Sequence, residues 1–362
     1  MMKCRPLAAR LAAGALSLVL ASSLAPGDNL RAREMAAGDS PSSSDVPPSS
    51  DVPPSSDVKV TAPIAGKTPA ANAPIPALLA PLAPRSLILA GTLAGTRLVA
   101  VGERGHILLS DDNGHSWRQV PAPANATLTG VRFIDAKQGW AVGHDATILH
   151  TADGGESWTL QNFAPEWEQP LMDVLFDDAD HGIAVGAYGL FLETADGGKT
   201  WTKRRITDDD LHLNAIFTTG GDTRMVVGEA GGVYTSPDKG HTWTKRPLPY
   251  EGSLFSGVAV DDRTVVVFGL QGHAFRSTDG GQTWQTIDTG TKAGLMGGVA
   301  TPDGHVVLVG ALGTVLSSSD GGASFKLTYR PDRLALADAV RGADGTLILL
   351  GDEGPKLMGA LP

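Results

Sequence analysis

The sequence predicts an all-β chain, a seven-bladed β-propeller of four-stranded antiparallel blades, and three observations carry that expectation. A unit typified by Leu128–Trp158 recurs around Gly102, Gly143, Gly186, Gly228, Gly269, Gly310 and Gly351, so successive copies lie 41, 43, 42, 41, 41 and 41 residues apart. A period of this size is the signature of a repeat architecture. Fifteen residues before each glycine stands a leucine: Leu87, Leu128, Leu171, Leu213, Leu254, Leu295 and Leu336. The run ending at each glycine is apolar at consecutive positions, as in Ile183–Val185 and Val306–Val309. Such a run requires burial on both faces, as a sheet packed between two neighbours provides.

Within the unit the first strand opens at the leucine (Leu128–Phe133), the second ends at the glycine (Trp140–Val142), the third is Ile148–Thr151 and the fourth starts at Trp158. Gly-x-x-Gly separates the second and third strands in six copies, Ala146 replacing the second glycine in one, and glycine supplies the positive φ of a short hairpin. Between the third and fourth strands lies the box Ser/Thr-x-Asp-x-Gly-x-Ser/Thr-Trp. Its aspartates are Asp112, Asp153, Asp196, Asp238, Asp279 and Asp320, and its aromatics Trp117, Trp158, Trp201, Trp243, Trp284 and Phe325. The carboxylate closes the turn on backbone N–H groups, and the aromatic buries its ring beside the next blade. These residues are expected to be structural. The last copy supplies three strands, at Leu336–Arg341, Thr346–Gly351 and Lys356–Met358. An open edge would expose unpaired backbone. The N-terminal segment Ala77–Ala83 is therefore expected to complete the last blade as its outer strand, where Pro76, Pro81 and Pro84 are tolerable.

Residues 1–23 carry Lys3, Arg5 and Arg10 before an apolar run and read as a signal peptide, with an uncleaved membrane anchor as the alternative. The chain is expected to be exported, periplasmic and monomeric. Residues 24–75 are rich in Pro, Ser and Ala, with a tandem SSDVPP, and read as a disordered tether before a propeller at 76–362. The single cysteine, Cys4, lies in the signal, so stability is expected from a core rather than a disulfide. Formal net charge is −10, or −13 without Lys3, Arg5 and Arg10, which argues against nucleic acid or anionic membrane as partner.

The box resembles the Asp-box, or BNR repeat, of sialidases and other propellers. The fuller unit is similar to the family of photosystem II assembly factors of cyanobacteria and chloroplasts. Leu171, Val174, Phe176, Gly182, Ala184, Val185, Gly186, Asp196, Gly197, Gly198 and Trp201 carry the likeness, which covers about residues 85 to 357. Related proteins of non-photosynthetic bacteria are often described as exported and encoded beside RND-type exporters, and this sequence resembles that branch. The resemblance implies a protein client, such as an inner-membrane transporter or envelope complex.

The second-to-third turns and the variable connections between blades should share the face opposite the boxes, and partner binding is expected there. One arc of turns is charged (Glu103, Arg104, His144, Asp145, Asp352, Glu353) and another apolar (Leu270, Ala311, Leu312). The candidate partner-binding residues are Arg104, Glu166, Trp167, Glu168, Tyr188, Asp208, Asp209, Asp210, His212, Tyr250 and Phe255. An exposed Trp and Tyr among acids suit a protein surface. In the alternative, Trp167 and Tyr250 pack back on the blade edges and the acids solvate a loop. Three consecutive acids lack the alternate spacing of a calcium loop, and the histidines lack zinc spacing, so no metal is expected. No nucleophile elbow or phosphate loop is found, and neither a catalytic residue nor a cofactor is assigned. Three functions remain: a binding scaffold, a sialidase-like glycosidase using Tyr188 and Arg104, and a lectin using Trp167 and Tyr250. The glycosidase would need an arginine cluster that the repeats do not supply.

Overall fold

Seven antiparallel sheets, each a meander of sequential strands, follow one another along residues 73–358, the part of the chain that the computed structural model describes. The expected signal at 1–23 and the expected tether, up to residue 72, lie outside the described residues. The second blade is typical, with strands Leu128–Phe133, Gly139–Gly143, Ile148–Thr151 and Thr159–Asn162. The first strands of all seven blades line a central channel. Every second strand is buried at each position from its centre to its glycine, as the consecutive apolar residues required.

The six aspartate turns are hydrogen-bonded in one pattern. In the third blade Thr194 Oγ1 donates to Asp196 Oδ1 (2.9 Å) and accepts the Gly198 N–H (2.9 Å). Thr200 donates its N–H to Asp196 Oδ1 (2.9 Å) and its hydroxyl to Oδ2 (2.6 Å). The Thr200 hydroxyl and N–H hold the Asp196 carboxyl at about 2, well below the usual range. The aromatic that follows packs against the preceding blade, not the next one as the sequence led us to expect. Trp158 lies with Val99, Val101 and Leu109 of blade one. Trp243 lies with Ile183 and Val185 of blade three, and Trp284 with Met225 and Val227 of blade four.

That direction also governs how the ring closes. Among the described residues the seventh sheet has three strands, and Ala77–Ala83 forms no strand on it. The segment instead lies along the outer strand of blade one. The Ala77 N–H donates to Ala122 O (3.0 Å), and the Gln119 amide bridges the Ala80 N–H (2.7 Å) and Leu78 O (2.9 Å). With prolines at 76, 81 and 84 it cannot supply a ladder of N–H donors, and a side chain does the pairing. Blade seven meets blade one through packing: Trp117 lies with Ile348 and Leu350, and Asn113 Oδ1 accepts the Ala343 N–H (3.0 Å).

The first strand of blade one is shifted by one residue from the repeat spacing. Ile88 pairs with Gly102 as Leu128 pairs with Gly143, so Ile88 and not Leu87 is the counterpart of the recurring leucine. Ile88 is fully buried and Leu87 half-buried, since a one-residue slip turns a side chain to the other face. Chemical denaturation should find Ile88→Ala destabilised by about 2–5 kcal/mol, the range for a buried aliphatic cut to Ala, and Leu87→Ala substantially less. The reverse order would restore the sequence register.

A second expectation concerns acid. A carboxylate whose folded pKa is depressed contributes stability that is present above its unfolded pKa, about 4, and lost as pH falls through about 2. Asp196→Asn should therefore lower the thermal midpoint at pH 7, and its gap from wild type should narrow across that acid window. A gap independent of pH would mean that the carboxylate charge is not what closes the turn.

Candidate partner-binding face

Backbone hydrogen bonds bring the second-to-third turns and the connections between blades onto one face. The first residue of each turn donates its N–H to the carbonyl that precedes a first strand, as Glu103 does to Leu87 (3.0 Å), Ala187 to Pro170 (3.0 Å) and Leu270 to Ser253 (2.9 Å). Further bonds join the two: Ala164 of a connection donates to Asp145 O of a turn (2.8 Å), and Gly189 of a turn donates to Leu211 O of a connection (2.8 Å). The second residue of six turns is left-handed although it is not glycine: Arg104 (φ 55°), Asp145 (57°), Tyr188 (55°), Ala230 (50°), Gln271 (57°) and Leu312 (59°). Positive φ strains a residue with a Cβ, and a bulky Tyr or Leu more than Asp.

The structure disperses the predicted site residues. Trp167 ends a short turn (Pro165–Trp167), packs on the blade beneath it with Leu171 and Leu190, and is capped by Lys203 Nζ at 3.6 Å from the ring centroid. Glu166 and Glu168 beside it are exposed. Tyr250 stacks on His273 (4.5 Å) and donates its hydroxyl to Leu270 O (3.1 Å), and burial pushes its pKa up. Both aromatics are thus blade-edge packing, the alternative the sequence left open, because a large ring gains more from the adjoining apolar wall than from water. The acids Asp208, Asp209 and Asp210 are exposed, and the first and last wrap Arg205, whose Nη2 bonds Asp208 O (3.2 Å) and Asp210 Oδ1 (2.5 Å). Tyr188 remains 44% exposed, its ring edge-on to His212 at 4.8 Å, and His212 in turn lies 3.6 Å from Glu229. Arg104 is largely exposed on its turn and pairs with the Glu103 carboxylate at 3.9 Å.

Phe255 belongs elsewhere than the variable connections, and it leads to a feature the sequence reading missed. Each first strand bulges one residue after its leucine or Ile88, so Leu89, Thr129, Met172, Asn214, Phe255, Met296 and Ala337 are each an extra residue. These seven ring the mouth of the channel on the turn face, around a cavity of about 200 Å³ that Asp352 also lines. The two polar members are used internally: Thr129 Oγ1 donates to Leu171 O (2.8 Å) and Asn214 Nδ2 to Leu254 O (2.7 Å), each on the following blade. The mouth is left apolar. The signal in the sequence was the residue after the leucine in copies two to seven, apolar in four of six.

Deeper in the channel, the next position along the strand is Ala, Gly or Ser in five blades and aspartate in two, Asp173 and Asp338. Each carboxylate ties its blade to the one after. Asp173 Oδ2 accepts the Ile216 N–H (3.1 Å) and Asp338 Oδ2 the Gly91 N–H (3.3 Å). Each also accepts the N–H of its own following residue, Val174 and Ala339 (both 2.8 Å). Glycine on the preceding blade makes the room. A Cβ at Gly130 would lie 3.2 Å from Asp173 Oδ1, and one at Gly297 only 2.7 Å from Asp338 Oδ1. Arg132 Nη2 reaches Asp173 Oδ2 at 3.6 Å. Desolvation pushes both carboxyls up, Asp338 to about 7, against the opposing pull of Arg132 and the backbone donors.

A raised folded pKa makes a carboxylate destabilise the fold progressively between its unfolded pKa, about 4, and about 7. Replacing Asp338 with Asn should flatten the fall in thermal midpoint across that window. An unchanged slope would place this carboxylate in bulk-like water.

Comparison with known proteins adds a family. The family described as photosynthesis system II assembly factor YCF48 matches residues 109–169 and 163–329. The photosystem II assembly protein Ycf48 of Thermosynechococcus vestitus is 43% identical over 42 residues, 12% of each chain. The photosystem II stability/assembly factor HCF136 of Oryza sativa subsp. japonica is 36% identical over 64 residues, 16% of this chain and 15% of that one. The chain thus spans only 12–15% of the length of the curated relatives it matches. Among solved structures, YCF48 bound to a D1 peptide superposes with a TM-score of 0.63 at 19% identity, covering 80% of this chain and 98% of that one. A streptogramin B lyase superposes with a TM-score of 0.65 at 11% identity, covering 76% and 95%. At these identities the superpositions show the fold alone.

Proposed function

We propose, because this chain belongs to the YCF48 family of photosystem II assembly factors, that it is a non-enzymatic propeller scaffold presenting its turn face to a protein client. The observation that carries this reading is the family match across residues 109–329, joined to a YCF48 structure that holds a D1 peptide. The fold supports it physically. The aspartate turns keep one length in every full repeat, so variable length is confined to the opposite face, where a scaffold acquires specificity without disturbing its core.

In the same proposal the chain is exported to the periplasm and serves as an assembly or accessory factor for an envelope membrane complex such as an RND-type exporter. The basic and apolar start at residues 1–23 and the resemblance to the exported bacterial branch are its basis. An uncleaved N-terminal anchor would tie the propeller to the same membrane.

Cross-linking of the full chain in intact cells, followed by purification from envelope extracts, should recover an integral membrane complex reproducibly. Hydrolysis of a fluorogenic sialoside by the purified chain would favour the glycosidase instead, and selective retention on a glycan array the lectin.

A further inference from the structure

We infer that the channel mouth on the turn face is a peptide clamp. It takes one bulky apolar side chain among Leu89, Phe255 and Met296, and holds a neighbouring lysine or arginine against the carboxylates of blades seven and one. This deepens the client-binding reading above, on which it rests, by naming the partner's chemistry.

Size comes first. The mouth cavity of about 200 Å³ suits one or two side chains, and it shares its seven bulge residues with a channel cavity of about 460 Å³. Its wall is apolar where it is free, since Thr129 and Asn214 are bonded to the carbonyls of Leu171 and Leu254. Met172 and Met296 give that wall side chains that reshape around different guests.

The turns above the mouth add a second observation. Tyr188 is 44% exposed and Leu312 43% exposed, and both sit in the left-handed backbone region. A bulky apolar residue there is strained, and its exposure gains the isolated chain nothing. A partner that covers it supplies the missing burial.

Charge then selects the partner. The turn-tip residues include the acids Glu103, Asp145, Glu229, Asp352 and Glu353, of which Glu103 pairs with Arg104 (3.9 Å) and Glu353 with Lys356 (3.7 Å), so that among the described residues Asp145 and Asp352 carry no ion pair there. Four of the five acids fall on blades seven, one and two, whereas blades five and six present Leu270, Ala311 and Leu312. Asp352 also lines the cavity itself. An acidic half beside an apolar half fits a segment in which an apolar residue adjoins a cation, with the cation steering encounter and the apolar anchor supplying most of the affinity.

Short fluorescein-labelled peptides pairing Leu, Phe or Met with Lys or Arg can be titrated against the full chain by fluorescence polarisation. Matched peptides carry Glu for the cation or Ala for the apolar residue. We expect either replacement to weaken binding about tenfold or more, as should Phe255→Asp and Leu312→Asn in the protein. Asn tolerates the left-handed backbone, so Leu312→Asn tests the clamp without threatening the fold, which a circular dichroism melt checks. Equal binding of the Glu peptides, binding untouched by both variants, or no binding of any apolar and basic peptide would each overturn the clamp. If envelope cross-links persist undiminished in both variants, the clamp fails and the scaffold reading stands. If the wild type yields no client yet binds peptides with the stated selectivity, the clamp stands and the envelope client is refuted.

Discussion

Each blade of this ring is buried on both faces because the aromatic ending its aspartate turn lies on the sheet before it. The turn sets the ring's position, and the ring covers the second and third strands of its neighbour, as Trp158 covers Val99 and Leu109. An apolar strand is stable only when both faces leave water, so each blade depends on the next one in the chain being in place. Around a closed circle that dependence has a last link. Here it is Trp117 of blade one on Ile348 and Leu350 of blade seven, reinforced by Asn113 and by the Asp338 carboxylate on the Gly91 N–H. Closure is therefore carried by side chains across a seam, while the N-terminal segment braces blade one.

The repeats diverge where the channel needs it. Aspartate at the inner position is tolerated in blades three and seven because blades two and six place Gly130 and Gly297 beside it. Desolvation raises both carboxyls, and their backbone partners on the following blades compensate in part. The result is two polar clasps at an inner position that is otherwise Ala, Gly or Ser. Carboxylates of opposite behaviour thus coexist in one molecule: those of the aspartate turns are ionised well into acid, and Asp338 is held towards its neutral form.

The same economy separates scaffold from recognition. Ser, Thr and Asp of the turns bond to one another and to backbone N–H groups. On the other face, Trp167 and Tyr250 settle against their own blades, and what remains available is Tyr188, Leu312, the apolar mouth and the acidic turn tips. A strained backbone at those tips is sustained by the rigid hairpins below it.

The sequence by itself determined the period, the four strands of a blade, the aspartate turn with its bonds and the sharing of one face by turns and connections. All of these are local: they depend on residues within a few positions of each other, or on apolar runs that no other environment satisfies. The tertiary structure alone decided that Ile88 and not Leu87 faces the core, since a one-residue slip at the first copy leaves the spacing almost unchanged. It also decided which blade each tryptophan covers, that loop aromatics fold back, and that the seven bulge residues ring one mouth of the channel. Composition could not distinguish a Trp167 capped by Lys203 from one open to solvent, because burial is set by whatever lies across the gap, and that neighbour comes from a distant part of the chain.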